Sequence, residues 1–334
     1  MYLCATTIEG YAHFNTIGLN HHCTMIASKR ANDPVWTSIY AYAQLPAELA
    51  RLEELAHNLW WVWNPRAHRL YKALSPELWE STEGNPVMLL RQLSSEDIQR
   101  ITTDAALMAE LEAVYADYKA YIDEPADTER PSVAYFSMEY GLTNVLKIYS
   151  GGLGVLAGDY LKEASDSNVR MTAVGFLYRY GYFTQTLSPE GQQQASYEAQ
   201  DFAQLPLEQV FQQDGQTPFV LEVPYSSHTV YCHVWKVKVG RISLYLLDTD
   251  IAQNSEWDRS ITHQLYGGDW ENRMKQEYLL GMGGVQLLTK LGIKKDVYHM
   301  NEGHAAFMNA QRLLDYVEGE GRSFDEALEL VRAS

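Results

Sequence analysis

The 334-residue sequence predicts an α/β protein with a mostly parallel sheet and a β-meander insertion, preceded by a small all-helical domain. Three observations carry this reading. Over residues 45–122 apolar side chains recur at helical spacing, with proline or serine at the segment starts. A polar, proline-flanked stretch at 123–131 then breaks the period. From Ser132 onward short apolar runs alternate with helical segments, the pattern of βα units. The chain divides accordingly into a flexible tail (1–33), a helical domain (34–124), a linker (125–131) and an α/β lobe (132–334).

The helical elements follow in order. Pro46 suits a first helical position, and Leu49, Leu52, Ala56, Leu59, Trp60 and Trp63 continue one face until Asn64-Pro65 ends it. Ser75 caps a new helix, Asn85-Pro86 breaks the chain again, and Ser94 restarts it. Residues 105–122 form a longer amphipathic helix. The indoles of Trp60, Trp61, Trp63 and Trp79 admit two readings, helix core or a stacking platform for sugar rings, and the core reading is the commoner for such clusters.

Strands come next. Val133 to Ser137 is a short apolar strand, and a glycine turn and helix follow it. Residues 170–178 form a second strand, and the Gln-rich segment 188–216 is a surface excursion. Residues 219–223, 229–239 and 241–247 are meander strands, with Gly240 at a turn. Residues 281–291 form a helix stopped by Gly292, and 296–300 a buried strand entering Asn301-Glu302-Gly303-His304. A helix from His304 to Val317 follows, and Ser323-Phe324-Asp325-Glu326 is a capping box that opens a last helix. A βα unit that ends on a helix calls for another strand.

Composition limits the function. With 43 acidic against 26 basic residues the net charge is −17, which excludes a broad nucleic-acid or anionic-membrane surface. Three widely spaced cysteines (Cys4, Cys23, Cys232) form neither a disulfide framework nor a metal quartet. His21-His22-Cys23 lacks a second ligand pair, so no metal site is expected. No apolar run has the length of a membrane span and the start lacks a signal-peptide pattern, which leaves the cytoplasm as the expected compartment.

The stretch that organises the lobe is Ser150-Gly151-Gly152-Leu153-Gly154-Val155-Leu156-Ala157-Gly158-Asp159. Strand, glycine turn and helix start, in that order, offer free amides and the positive end of a helix dipole to an anion. The spacing fits neither the dinucleotide fingerprint nor the P-loop, and glycines used only for close packing are an equal alternative. Ligands of open α/β sheets sit beyond the carboxyl ends of strands, where Glu139, the turn itself and Asn301-Glu302-Gly303-His304 all fall. Each has a plainer reading: Glu139 as a cap on a backbone turn, His304 as a buried histidine held by a carbonyl. Asp269, Arg273 and Glu277 read equally well as a helical ion-pair ladder.

Read together, several motifs resemble the α-glucan phosphorylase family in its compact bacterial branch. They are Ser137-Met138-Glu139-Tyr140-Gly141-Leu142, Tyr149-Ser150-Gly151-Gly152-Leu153-Gly154 and the run from Val174 to Gln185. Tyr266-Gly267-Gly268-Asp269, Arg273-Met274-Lys275-Gln276-Glu277 and His299-Met300-Asn301-Glu302-Gly303-His304-Ala305-Ala306-Phe307 join them. The resemblance covers residues 45–334 in order, the segment near 55–90 matching that branch's helical extension. It implies the Rossmann-like N-terminal lobe of a two-lobed glycosyltransferase of the GT-B type. The implied reaction is retaining transfer of a glucosyl unit between the non-reducing end of an α-1,4-glucan and inorganic phosphate, giving glucose 1-phosphate. Pyridoxal phosphate is the implied cofactor, its Schiff-base lysine belonging to a second lobe absent from this sequence. By the same resemblance Gly151, Gly152 and Glu139 are catalytic, the first two near the phosphate. Leu153, Gly154, Asn301, Glu302 and His304 line the substrate. Ser150 stands where the long muscle-type branch has Asn. The resemblance also implies an incomplete chain, inactive alone and with apolar faces that favour self-association or a homo-oligomer. Two other readings stay open: a starch or glycogen synthase-like lobe, which shares a Gly-Gly-Leu-Gly turn, and a non-catalytic glucan-binding module.

Overall fold

A computed structural model describes residues 45–334. The tail at 1–33, with His21, His22 and Cys23, lies outside them. The helical region holds α1 (Ala50–Ala56), α2 (Trp60–Trp63), α3 (Pro65–Leu74), α4 (Pro76–Ser81), α5 (Pro86–Gln92), α6 (Ser95–Thr103) and α7 (Ala105–Ile122). Their starts are written locally. Asn64, Ser75 and Asn85 each accept from backbone amides ahead of a proline at the first helical position, and Ser94 with Asp97 forms a capping box.

The first helix departs from expectation. Pro46 precedes a 3-10 turn, Ala47–Leu49, and the helical face expected to run on to Trp63 breaks between α1 and α2. The cause is tertiary. Asn58 turns its amide onto Gly240, accepting from the Gly240 amide at 2.9 Å and donating to the Gly240 carbonyl at 3.0 Å. Leu59 N–H donates to the Lys238 carbonyl at 2.8 Å. A helix running through Asn58 would spend these backbone groups on itself.

The sugar-platform reading of the indoles is overturned. Trp60, Trp61 and Trp79 are buried in the helical core, where Trp79 stacks on Tyr71 and meets Trp61 edge-on. Trp63, half-buried, donates its indole N–H to Asp166 at 3.1 Å. Their faces pack on neighbouring side chains, which is the common fate of indoles on short helices.

Beyond residue 131 come β1 (Val133–Phe136), α8 (Gly152–Asp166), β2 (Met171–Phe176), β3 (Thr184–Leu187), β4 (Gln193–Ser196), β5 (Glu208–Gln209), β6 (Val220–Pro224), β7 (Thr229–Val239) and β8 (Ile242–Asp248). Then follow α9 (Glu256–Arg259), α10 (Trp270–Tyr278), α11 (Gly284–Lys290), β9 (Val297–Met300), α12 (Phe307–Leu314) and α13 (Phe324–Arg332). A seven-stranded sheet runs in the order β5-β7-β8-β2-β1-β9, with β6 also on β7. The pairs β1–β2, β1–β9 and β2–β8 are parallel, and β7 is antiparallel to its partners. This is an α/β fold with a parallel-rich sheet.

The meander is not a separate layer. Because β8 pairs with β2 in parallel, β6, β7 and β8 extend the main sheet, with Gly240 at φ +58° in the β7–β8 turn. The strand expected to be buried at 296–300 is an edge strand among the described residues: β9 pairs only with β1, and His299 and Met300 are exposed. Residues 281–291 wind first as a π-helical turn, Leu279–Gly283, before α11. The excursion at 188–216 includes β4 of an exposed hairpin before β5 returns to the sheet. The Asp269–Arg273–Glu277 ladder does not form. Asp269 caps α10, and the Arg273 guanidinium lies over the Tyr266 ring at 5.4 Å.

The helical and sheet cores are two clusters, with Val62, Trp63 and Val145 packed against both. Polar clasps reinforce the seam: Arg241 donates to the carbonyls of Tyr121 and Ser165 at 2.8 and 2.6 Å. All described residues belong to one compact unit.

Candidate functional site

Strands β1 and β9 run parallel with Phe136 opposite Met300, so Glu139 and Asn301 leave the sheet at the same end. α8 begins beside them. Glu139 is 2% exposed, and its carboxylate is fully engaged. Oε2 accepts from the amides of Ser150 and Gly151 at 2.8 and 3.2 Å, and Oε1 accepts from the Tyr266 hydroxyl at 2.9 Å. Three donors on one buried carboxylate hold the turn in place, each such charged bond contributing on the order of 1.5–3 kcal/mol. The capping reading of Glu139 describes this geometry.

The glycines of the turn divide in two. Cβ atoms built at Gly151 and Gly152 meet nothing within 4 Å, and both residues are exposed. A Cβ at Gly154 would lie 2.7 Å from Glu139 Oε2 and 2.6 Å from Tyr149 Cβ, and one at Gly158 would lie 2.2 Å from the Gly141 carbonyl oxygen. Gly154 and Gly158 share one face of α8, four residues apart, and let the 139–141 segment lie on the helix. Gly141 N–H donates to the Gly154 carbonyl at 2.6 Å.

At the head of α8, among the described residues, no acceptor meets the amides of Gly152 and Leu153. These are orphan donors of a 15-residue helix, on open ground, with the dipole behind them. Asn301 is buried and donates to Ser137 Oγ at 3.1 Å and more weakly to the Leu153 carbonyl at 3.4 Å, tying the β9 end to the α8 start. Ser137 in turn donates to the Glu139 carbonyl at 2.8 Å. His304 is half-buried and its ring lies 5.6 Å from that of Tyr266. Its Nδ1 is buried without a partner among the described residues, so the expected carbonyl does not hold it. Glu302 is exposed with φ +59°, and Tyr266 has φ +53°. Among the described residues, two of the four non-glycine residues at positive φ thus flank this crevice, where local strain commonly gathers.

The fold therefore gathers Glu139, Gly151, Gly152, Leu153, Gly154, Asn301, Glu302 and His304 at one sheet end. Sequence reasoning missed Tyr266 as a member. It stood inside a quoted motif, but its bond to Glu139 spans 127 residues and no local pattern announces it. Burial first, then the bond to Glu139, pushes the Tyr266 phenol above its ordinary pKa, so it stays a donor. No group of side chains suited to a metal ion is found among the described residues.

Comparison with known proteins bears on this arrangement. A family described only as a protein of unknown function, DUF3417, matches residues 45–146. The chain is 41% identical over 299 residues to the maltodextrin phosphorylase of Thermococcus litoralis, a match covering 87% of this chain and 36% of that relative. It is 40% identical over 310 residues to a glycogen phosphorylase of Mycobacterium tuberculosis, with the same coverage of 87% and 36%. Over the stretch it spans, the chain belongs to the α-glucan phosphorylase family. A glycogen phosphorylase of Aquifex aeolicus matches at 38% identity over 285 residues, 84% of this chain and 40% of the relative. The chain thus spans little more than a third of these phosphorylases. Among the described residues no helix is long and apolar enough to cross a membrane.

Proposed function

We propose that this chain forms one lobe of an α-glucan phosphorylase of the two-lobed GT-B type. The whole protein moves a glucosyl unit between the non-reducing end of an α-1,4-glucan and inorganic phosphate, with glucose 1-phosphate as the other partner. The observation that carries the reading is the open head of α8. Its free Gly152 and Leu153 amides, held in position by Glu139, suit an oxyanion at a crevice shared with the β9 end.

In this reading Gly151 and Gly152 supply backbone room and electrostatic stabilisation. Glu139 acts on the reaction by positioning the turn. Leu153 and Gly154 border the glucosyl unit, and Asn301, Glu302 and His304 shape the far wall, with the His304 ring beside that of Tyr266. Pyridoxal phosphate is the cofactor the family implies. The exposed amides suit a phosphate group, but no lysine stands among the residues gathered at the crevice, so this stretch does not supply the Schiff base. A cytoplasmic setting and a homo-oligomeric assembly fit the same reading.

The test is phosphorolysis of maltoheptaose by a protein carrying this chain, followed as glucose 1-phosphate released per orthophosphate consumed. Phosphate-dependent release is expected. Release of glucose or maltose without phosphate consumption would overturn the proposal.

A further inference from the structure

The proposed chemistry gives Ser137 no role, yet the residue stands at the centre of the site. It is fully buried at the end of β1, where its amide donates to the Val174 carbonyl at 3.2 Å. Its hydroxyl donates to the Glu139 carbonyl at 2.8 Å and accepts from Asn301 Nδ2 at 3.1 Å. The Glu139 amide approaches the same oxygen at a longer 3.4 Å. A serine hydroxyl has one donor and two acceptor positions, so all three are engaged here.

Asn301 carries this constraint across the crevice. Its amide donates to the Phe136 carbonyl at 2.9 Å, and its side chain ends on Ser137 and, more weakly, on the Leu153 carbonyl. Backbone and side chain of Asn301 are thus both pinned just before the chain bends. Glu302 then takes φ +59° and ψ −163°, a region of backbone space that belongs almost wholly to glycine. Strain of this kind persists only where the surroundings over-determine it. A glycine at 302 would remove the strain, and the exposed glutamate contributes no packing to offset it. Beyond it, Ala305 is fully buried in the 3-10 turn Gly303–Ala305, and the His304 ring lies 5.6 Å from that of Tyr266. Tyr266 donates to Glu139 Oε1 at 2.9 Å, which closes the circuit on the segment that Ser137 holds.

We propose that Ser137 is a positioning residue: acting through Asn301, it holds Glu302 in its strained backbone and fixes the Glu302–His304 wall relative to the head of α8. That this wall meets glucan rests on the phosphorylase reading; the anchor itself rests on the hydrogen bonds and the backbone alone. The Glu139 carboxylate has three donors of its own, from Ser150, Gly151 and Tyr266. Loss of the serine hydroxyl therefore loosens the sugar wall first and the phosphate side least.

The experiment measures phosphorolysis by the whole protein carrying this chain, with maltoheptaose and phosphate varied in turn, for Ser137→Ala, Asn301→Ala and the two combined. Asn301→Ala breaks the same bond from its other end and serves if Ser137→Ala does not fold. The expected result is a loss of about tenfold to a hundredfold in kcat/KM for maltoheptaose, with the KM for phosphate within about twofold of wild type. The double variant should lose no more than the worse single variant, because both break one bond. A serine that serves stability alone would lower the thermal midpoint and leave both KM values unchanged. That result would overturn the proposal, and so would additive losses. A thermal comparison at position 302 needs no activity. At an ordinary exposed position alanine is more stable than glycine, but here Glu302→Gly should melt above Glu302→Ala. Adding Ser137→Ala should shrink that inversion. Alanine melting above glycine would overturn the strained anchor. Wild-type protein without phosphate-dependent release would sink the phosphorylase reading, and the order of melting at 302 would then decide the anchor by itself.

Discussion

The two pairs of glycines in the turn share a residue type and little else. Gly151 and Gly152 face open space, whereas Gly154 and Gly158 face a carboxylate, a tyrosine and a backbone carbonyl at distances no Cβ tolerates. The first pair leaves room for something outside the chain. The second pair lets the chain touch itself. A glycine-rich motif is thus two devices in series, and only the distances around each position separate them.

The largest effect expected from this contrast is on Gly152→Asp in the whole protein. A carboxylate at the head of α8 would stand where an anion is proposed to bind. At an effective dielectric near 20, two charges about 4 Å apart repel by roughly 4 kcal/mol, on the order of a thousandfold in phosphate-dependent rate. Rate measured against phosphate concentration, paired with the thermal midpoint, separates this from misfolding. Normal phosphate kinetics in a destabilised variant would make Gly152 a packing residue like its neighbours.

Gly158→Ala should do the opposite. Its Cβ would meet the Gly141 carbonyl at 2.2 Å, a backbone atom with no rotamer to yield. About 3 kcal/mol of stability should be lost in denaturant unfolding. A loss under about 0.5 kcal/mol would erase the distinction between the two pairs.

Tyr266→Phe probes the clamp that joins them. It removes one donor from the buried Glu139 carboxylate and should cost about 1–2 kcal/mol at neutral pH. The phenol is raised in the folded state by burial and by Glu139, so its contribution is full below the unfolded tyrosine value near pH 10. It is lost as pH climbs toward the folded value. The variant should therefore show a shallower alkaline decline, by up to one proton, than wild type. Identical alkaline slopes would disconnect Tyr266 from the turn.

The smallest effect is expected from Gly152→Ala. With nothing within 4 Å of the new methyl, the thermal midpoint should stay within the scatter of a surface substitution, about ±0.5 kcal/mol. A large loss here would mean that the open pair is also structural.

Much of this molecule was legible in its sequence because the signals were local. The cap at Ser75, the restart at Ser94 and the capping box at Ser323 lie within three residues of the amides they satisfy, whereas Asn64 and Asn85, read in the sequence as breaks, cap the helices that follow them. The αL glycines at 240 and 292 mark turns through backbone sterics alone. The chain's motifs pointed to its family before any contact was known, and the strand–turn–helix order put Glu139, the turn and Asn301 at strand ends. What the tertiary structure alone decided are the contacts between distant residues. The break at Asn58 answers Gly240, 182 positions away, and the clamp on Glu139 needs Tyr266, 127 positions away. The burial of Trp61 and Trp79 depends on helices folding onto one another, so a cluster of indoles could not declare itself core or platform. Periodicity records which face of an element is apolar; it carries no record of what that face will meet.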